Sequence, residues 1–141
     1  MNQDPINERG SRSESDKART YAKALWLLKD DLALRTKDLA LLMDLNVRTL
    51  RDARKKGHFP CLSNDRLLRL AHLLGINKSL EIIFPRNEEI RKNWLHVKRD
   101  LFNGKSALEM IEADPLNSLP RLYAVRRVLE LYRVGTIHNM T

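Results

Sequence analysis

Residues 36–57 read TKDLALLMDLNVRTLRDARKKG, and this stretch is the strongest indication of how the chain folds. Small or apolar side chains recur there at the spacing with which two short helices pack across a tight turn. They belong to Ala40, Met43, Leu45, Leu50 and Ala53. Thr36 is a suitable N-cap for a first helix that stops near Asp44. Asn46 is a suitable N-cap for a second helix that ends at Gly57. The stretch therefore predicts a helix-turn-helix.

The turn between these two helices contains Asp44 at a position where glycine is common. Asp tolerates the left-handed backbone conformation better than most residues do, so we expect the turn to form.

The second helix of the pair carries five cations and a single anion. The cations are Arg48, Arg51, Arg54, Lys55 and Lys56, and the anion is Asp52. A short helix with this charge is unsuited to a protein core and suited to the major groove of DNA. The alternative interpretation is an ordinary amphipathic helix pair with a solvated basic face.

DNA binding by this helix assigns a role to each polar side chain. The residues expected to reach base edges are Asn46, Val47, Arg48, Arg51 and Asp52. Arg on guanine is the commonest specific contact, and an apolar side chain such as Val47 can touch a thymine methyl group. The residues expected to hold phosphates are Thr36, Thr49, Arg54, Lys55 and Lys56.

The composition is that of a helical protein with an excess of positive charge. The chain has 141 residues, 43% of them hydrophobic, with a net charge of +8 and a pI near 9.9. Five glycines, five prolines and the absence of β-branched runs favour an all-α fold. The basic balance favours polyanionic partners. The lone Cys61 excludes an intramolecular disulfide and agrees with a cytoplasmic location. No apolar run is long enough to span a membrane.

The pattern divides the chain into three parts. Residues 1–14 are expected to be a disordered tail, 15–85 a helix-turn-helix DNA-binding domain, and 86–141 a small helical domain that packs against its own core, a second subunit or another protein. Outside the helix-turn-helix, the expected helices begin at Ser13 or Ser15 and run to 29, begin at Ser63 or Asn64 and end at Gly75, and cover 77–84, 88–102, 105–113 and 119–132.

Residues 67–84, LLRLAHLLGINKSLEIIF, superficially repeat the helix-turn-helix pattern. Glu81 takes the position equivalent to Leu50, where two such helices must pack apolar surface. The second half offers only Lys78 as a cation. We therefore expect a pair of packing helices here, separated at Gly75.

The second half of the chain resembles a known family. Residues 94–135 read WLHVKRDLFNGKSALEMIEADPLNSLPRLYAVRRVLELYRVG. With the helix pair before it, this segment resembles the C-terminal toxin-binding domain of Xre/MbcA/ParS-type antitoxins. The matching elements are Trp94, Leu101-Phe102 before Gly104, Ser106-Ala107-Leu108, and a final helix that ends in Tyr132-Arg133-Val134-Gly135. The turn 114–117 departs from the glycine-containing turn that is common in the family.

The resemblance implies an antitoxin of a type II toxin–antitoxin system. Such a protein neutralises a RES-domain toxin that degrades NAD⁺, and it represses its own operon as a transcription regulator. The resemblance implies toxin contacts at Arg126, Arg127, Tyr132, Arg133, Val134 and Gly135. A homodimer on a two-fold operator is the expected assembly, because one helix-turn-helix rarely binds tightly alone.

Nothing in the sequence indicates catalysis, a metal site, a cofactor or a membrane partner. The four histidines are dispersed, and Gly104-Lys105-Ser106 lacks the upstream glycine and the strand of a phosphate loop. The competing hypothesis is a stand-alone helix-turn-helix transcription regulator whose second half dimerises or senses a ligand.

Overall fold

The first helix is longer than expected. The computed structural model describes the backbone of residues 5–59 and 62–138, and the side chains of 14–59 and 62–138. Helix α1 covers Pro5–Asp31, so it starts well before the caps predicted at Ser13 or Ser15 and includes most of the residues expected to form a disordered tail. Residues 1–4, the side chain of Ser13, Cys61 and residues 139–141 lie outside the described parts.

Helix α2 covers Thr36–Met43, and its N-cap is Arg35 rather than Thr36. The carboxylate of Asp38 accepts from the Arg35 backbone N–H at 3.1 Å and from the Arg35 guanidinium at 2.9 and 3.1 Å. Asp38 thus caps the helix from its third position, and Thr36 is the first helical residue. The helix ends where the sequence predicted, at Asp44, which adopts the left-handed conformation with φ 52° and ψ 46°.

Helix α3 covers Val47–Lys56 and has the predicted limits. The side chain of Asn46 accepts from the backbone N–H of Thr49 at 2.7 Å, as an N-cap does. Gly57 ends the helix in the left-handed conformation, at φ 73°. Both signals are local to the sequence, and both predictions are confirmed.

Helix α4 covers Asn64–Ile83 without interruption, capped by Ser63 as predicted. The expected helix end at Gly75 and the separate fifth helix are therefore wrong. The missing side chain of Gly75 leaves room for Arg126, because a Cβ atom there would lie 2.4 Å from the Arg126 Nε atom. Beside Gly75, Leu73 is buried and Leu74 is exposed.

The segment after α4 is more irregular than predicted. Helix α5 covers Glu88–Asn93, a 3₁₀ turn covers Trp94–His96, and strand β1 covers Lys98–Arg99. A second 3₁₀ turn covers Asp100–Phe102, and strand β2 covers Lys105–Ser106. The strands pair antiparallel, Lys98 opposite Ser106 and Arg99 opposite Lys105. The single helix expected over 88–102 is therefore wrong, and the helix expected over 105–113 begins two residues later than predicted, after β2.

The packing of two aromatic rings explains this difference. The centroids of Trp94 and Phe102 lie 6.3 Å apart in an edge-to-face arrangement, and both rings are buried. In a continuous helix, eight residues would separate them by about 12 Å along the axis. The hairpin turn at Asn103 and Gly104, both with positive φ, returns the chain instead.

The last two helices complete the fold. Helix α6 covers Ala107–Glu112, with a capping box between Ser106 and Glu109. A 3₁₀ turn over Pro115–Asn117 leads to helix α7, which covers Ser118–Arg133. Leu122, Val125 and Leu129 form the buried side of α7, and Tyr132 is half-buried.

A single hydrophobic core runs through both halves of the chain, and α7 packs along α4. Buried Arg69 of α4 links the halves, since its Nη1 donates to the Leu42 carbonyl at 3.1 Å and to Ser118 Oγ at 2.9 Å. Its Nε pairs with Asp65 at 2.9 Å. The fold is thus mostly helical, as predicted. Within the described ranges, no helix is both long and apolar enough to cross a membrane.

Candidate nucleic-acid interface

Helix α3 turns two residues into the core and its charged residues outward. Leu50 is 0% exposed and Ala53 is 2% exposed, and both pack beneath the helix. Every charged side chain predicted for DNA contact on this helix is exposed. These residues are Arg48, Arg51, Asp52, Arg54, Lys55 and Lys56. The helix therefore presents a dense positive surface on one side.

The remaining candidates for DNA contact lie at the margins of this surface. Asn46 is exposed, but its side-chain oxygen is already used by the Thr49 N–H. Val47 and Thr49 are half-buried, and Thr36 is half-buried at the first residue of α2. The structure thus groups the charged candidates more clearly than the uncharged ones.

The turn between α2 and α3 is held by a residue that the sequence reasoning missed. Arg66 of α4 donates two hydrogen bonds to the backbone carbonyl of Asp44, from Nε at 3.0 Å and from Nη2 at 2.8 Å. The Leu45 N–H closes the turn on the Ala40 carbonyl at 2.9 Å. Two donors from one guanidinium restrict the orientation of this peptide, so Arg66 supports the left-handed residue. No short-range pattern connects Arg66 to Asp44.

Helix α1 also contacts the basic helix. The guanidinium carbon of Arg54 lies 4.9 Å from the ring centroid of Trp26, within the range of a cation–π contact. The N–H of Phe59, just after α3, donates to the Ala18 carbonyl at 3.3 Å. No short-range pattern in the sequence connects Trp26 to Arg54.

A pair of carboxyl groups lies where α2 meets α6. Asp38 is 1% exposed and Glu112 is half-buried, with its Oε1 atom buried and without a hydrogen-bond partner. Burial, followed by the hydrogen bond and repulsion from Asp38, raises the pKa of Glu112 to about 7. Burial also opposes ionisation of Asp38, but the hydrogen bonds from Arg35 outweigh it and hold its pKa below the ordinary value. Near neutral pH Asp38 is therefore ionised, and Glu112 is only partly ionised.

The residues proposed for toxin contact are not equally available. Arg126 is half-buried against α4: its Nε donates to Glu130 at 2.7 Å, and its Nη1 lies 3.2 Å from the Ala71 carbonyl and 3.3 Å from His72 Nδ1. Burial and the positive charge of Arg126 lower the pKa of His72, which is packed as expected. Arg126 therefore has a structural role.

The other toxin-contact candidates lie at the C-terminal end of α7. Arg127 is exposed, with its Nη1 3.7 Å from Glu130, and the Arg133 Nη1 donates to Ser79 Oγ at 3.3 Å. Tyr132 is half-buried, whereas Val134 is 75% exposed and Gly135 is exposed. Four of these residues are consecutive where α7 ends, and Arg127 lies roughly two turns earlier in the helix. Among the described side chains, no group of three or more His, Cys, Asp or Glu could hold a metal ion.

The fold and its charged surface define a mostly helical protein with an exposed cationic helix. Comparison with known proteins adds a relative in Sinorhizobium fredii (strain NBRC 101917 / NGR234), named "Uncharacterized protein y4oB". The two are 33% identical over 132 residues, which cover 90% of this chain and 96% of the relative. The chain belongs to the family of this protein. No family model and no solved structure matches this chain.

Proposed function

We propose that this protein binds double-stranded operator DNA with α2 and α3 as a helix-turn-helix, and regulates transcription. One observation carries the proposal: the five cations of α3 are all exposed, while Leu50 and Ala53 fix the opposite side of the helix in the core. This division matches a recognition helix, which needs a firm apolar base and a charged outer face.

The exposed side chains divide into two groups by position. Arg48 and Arg51 lie in the first half of α3, the part of a recognition helix that contacts base edges. Arg54, Lys55 and Lys56 form its last turn and are suited to phosphates on the flanking backbone. Half-buried Val47 and Thr49 offer less surface and take a lesser part.

The expected assembly is a cytoplasmic homodimer on a two-fold operator. A single short helix contacts few base pairs, and two copies double the contacts without a new fold. The protein would act as a repressor, by occupying its own promoter.

Toxin neutralisation is the second candidate function, and it comes from the resemblance to Xre/MbcA/ParS-type antitoxins. The specific observation in its favour is the exposed end of α7, where Val134 and Gly135 directly follow Arg133. An apolar residue that is 75% exposed next to cations is suited to enter a partner's cleft. We propose a RES-type NAD⁺-degrading toxin as that partner, and no catalytic role for this chain. A stand-alone regulator remains the alternative.

The DNA proposal is tested by selecting duplexes from a random library and titrating the best one by fluorescence anisotropy. We expect the Arg51→Ala variant to bind this duplex with a loss of about 1–3 kcal/mol, roughly a 5- to 150-fold weaker Kd. Lys92→Ala, which removes an exposed cation from α5, should bind like the wild type. A wild-type protein that selects no duplex and ignores DNA at low salt contradicts the proposal.

The toxin proposal needs a separate readout, which is growth. Expression of a RES-like toxin encoded by a neighbouring gene should stop growth, and co-expression of this protein should restore it. The Val134→Asp variant should lose the rescue and keep its affinity for DNA. Rescue that is unchanged by Val134→Asp would remove the end of α7 from the toxin contact.

A further inference from the structure

Two contacts fix α3 and the segment after it along one side of α1. Arg54 lies over the ring of Trp26, and the Phe59 N–H donates to the Ala18 carbonyl. Ala18 and Trp26 are eight residues apart, so the contacts span about 12 Å of α1. The C-terminal half of the basic helix therefore lies beside the middle of α1.

Two exposed cations of α1 lie between these contacts. Arg19 and Lys23 are separated by four residues, and Trp26 follows Lys23 by three, so the three side chains share one side of the helix. Ala22 and Leu25 are the buried residues of the same turns; Leu25 points away from the three side chains, and Ala22 borders them, three residues after Arg19 and four before Trp26. Arg19 and Lys23 are exposed, and both lie within about two turns of Trp26, the ring that Arg54 covers.

The acidic residues of α1 limit this basic surface. Asp16 precedes Arg19 by three residues, and Asp30 follows Trp26 by four, so both lie near the same side of the helix and both are exposed. A polyanion would be repelled at either end. Between these anions the exposed cations on this side of α1 are Arg19 and Lys23, next to the ring of Trp26 that Arg54 covers; Lys29, three residues after Trp26, is half-buried.

The spacing of these cations fits a nucleic-acid backbone. Side chains four residues apart on a helix lie about 6 Å apart at Cβ, and one strand of DNA places a phosphate at about every 3.4 Å along its axis. Long Arg and Lys side chains can cover such a difference. The Trp26 ring beneath Arg54 restricts the conformations of the guanidinium, so less entropy is lost when Arg54 binds a phosphate.

We propose that α1 is a second element of the DNA interface, in which Arg19 and Lys23 bind phosphates beside the groove that α3 enters and Trp26 is a positioning residue for Arg54. This inference rests on the proposed function. It adds the backbone contacts of a helix outside the helix-turn-helix, and it commits to the sugar–phosphate backbone of double-stranded DNA as the ligand.

The first test measures the salt dependence of DNA binding by the full chain. Anisotropy titrations of the selected duplex and of an unrelated duplex are run between about 50 and 200 mM salt. The variant Arg19→Ala/Lys23→Ala should lower the slope of log K against log salt by about two, equally for both duplexes. The variant Arg86→Ala/Lys92→Ala makes the same change of charge at exposed residues near α5 and should keep the wild-type slope.

The second test isolates the role of Trp26. The variants Trp26→Leu and Arg54→Ala should each lower the slope by about one, and the double variant should lower it no further. Trp26→Phe keeps an aromatic face and should restore most of the slope. Circular dichroism on each variant confirms that the folded protein is compared. A merely structural Trp26 would alter the unfolding midpoint without this coupling to Arg54.

The outcomes separate the inference from the proposed function. If the wild type binds the duplex and Arg19→Ala/Lys23→Ala has the same slope as its control, the inference is wrong and the function stands. If the wild type binds no duplex even at low salt, both fail. Equal or tighter binding to a duplex RNA would overturn the assignment to DNA.

Discussion

Residues 36–57 and residues 64–83 have related sequence patterns and opposite structures. The first stretch divides at Asp44 into two helices, and the second is one helix through Gly75. The residue that reverses the chain is therefore an aspartate, and the residue that does not is a glycine. Glycine permits a left-handed residue, but the surrounding contacts determine whether the chain uses it.

The contacts around Asp44 and those around Gly75 have different roles. At Asp44, two donors of Arg66 bind the exposed carbonyl and Asn46 caps the helix that follows. At Gly75 the helix continues, and the space left by the missing side chain is filled by Arg126, which also donates to the Ala71 carbonyl. A left-handed residue thus makes a turn in one region, and a missing side chain allows a close approach between helices in the other.

The largest expected effect on stability is at Leu50, which is buried in the first region, while its counterpart in the second region is exposed. Leu50 is 0% exposed, so Leu50→Ala should lower the free energy of unfolding by about 2–5 kcal/mol. The side chain of Glu81, its counterpart in the second region, is 49% exposed, and Glu81→Ala should change stability by less than about 0.5 kcal/mol. Urea unfolding followed by circular dichroism measures both. Equal effects would mean that the two positions are not distinguished by packing.

A smaller effect, on the pH dependence of stability, is expected at Asp38 and Glu112, where the first region meets the rest of the molecule. The pKa of Glu112 is about 7 in the folded protein, against an ordinary value of 4.5. Between these pH values the folded state binds more protons than the unfolded state, so stability falls as pH rises from about 4.5 through 7. The full shift corresponds to about 3 kcal/mol, which solvent screening of a half-buried carboxyl reduces to roughly 1–2 kcal/mol.

The comparison with Glu112→Gln isolates this contribution. The lowered pKa of His72 has the opposite slope below about pH 6.5, so only the difference between wild type and variant is informative. The glutamine remains neutral and should make the variant more stable than the wild type at pH 8, with the difference vanishing near pH 5. Urea unfolding at several pH values gives the difference. A difference that is independent of pH would show that Glu112 does not titrate in this range.

The predictable parts of the fold are those that depend on neighbouring residues. Asn46 and Gly57 are local caps, and the sequence identified both limits of α3 and the exposed cations between them. The N-cap of α2 was misplaced by one residue, because Asp38 supplies the capping oxygen from inside the helix and Arg35 donates to it. Because the capping carboxylate lies three residues after the N-cap, the sequence pattern favours Thr36 as the N-cap instead of Arg35.

The unpredicted parts depend on residues far apart in the chain. The hairpin over 98–106 forms where Trp94 and Phe102 pack together, and the platform for Arg54 is a tryptophan of α1. A helical period in the sequence reports which residues could share a face, but not which distant side chain lies against them. For the candidate interface, the charged residues of α3 were therefore identifiable, and the contact of Arg54 with Trp26 of α1 was not.

The smallest expected effect is at Gly75, and its sign depends on Arg126. Alanine in a helix interior is favoured over glycine by about 0.5–1 kcal/mol, but here the new Cβ would displace a guanidinium that bonds Glu130 and Ala71. Because the displaced group is the flexible end of a long side chain, the two effects should nearly cancel, leaving Gly75→Ala within about 0.5 kcal/mol of the wild type.

Removal of Arg126 should reveal the stabilisation that alanine at position 75 provides to the helix. In an Arg126→Ala background, the Gly75→Ala substitution meets no guanidinium and should stabilise the protein by about 0.5–1 kcal/mol, as measured by a double-mutant cycle in urea. The coupling between the two positions is the quantity that matters. If Gly75→Ala has the same effect in both backgrounds, then Arg126 is not the reason that α4 contains a glycine, and the contrast between Gly75 and Asp44 must come from elsewhere in the packing of α4 on α7.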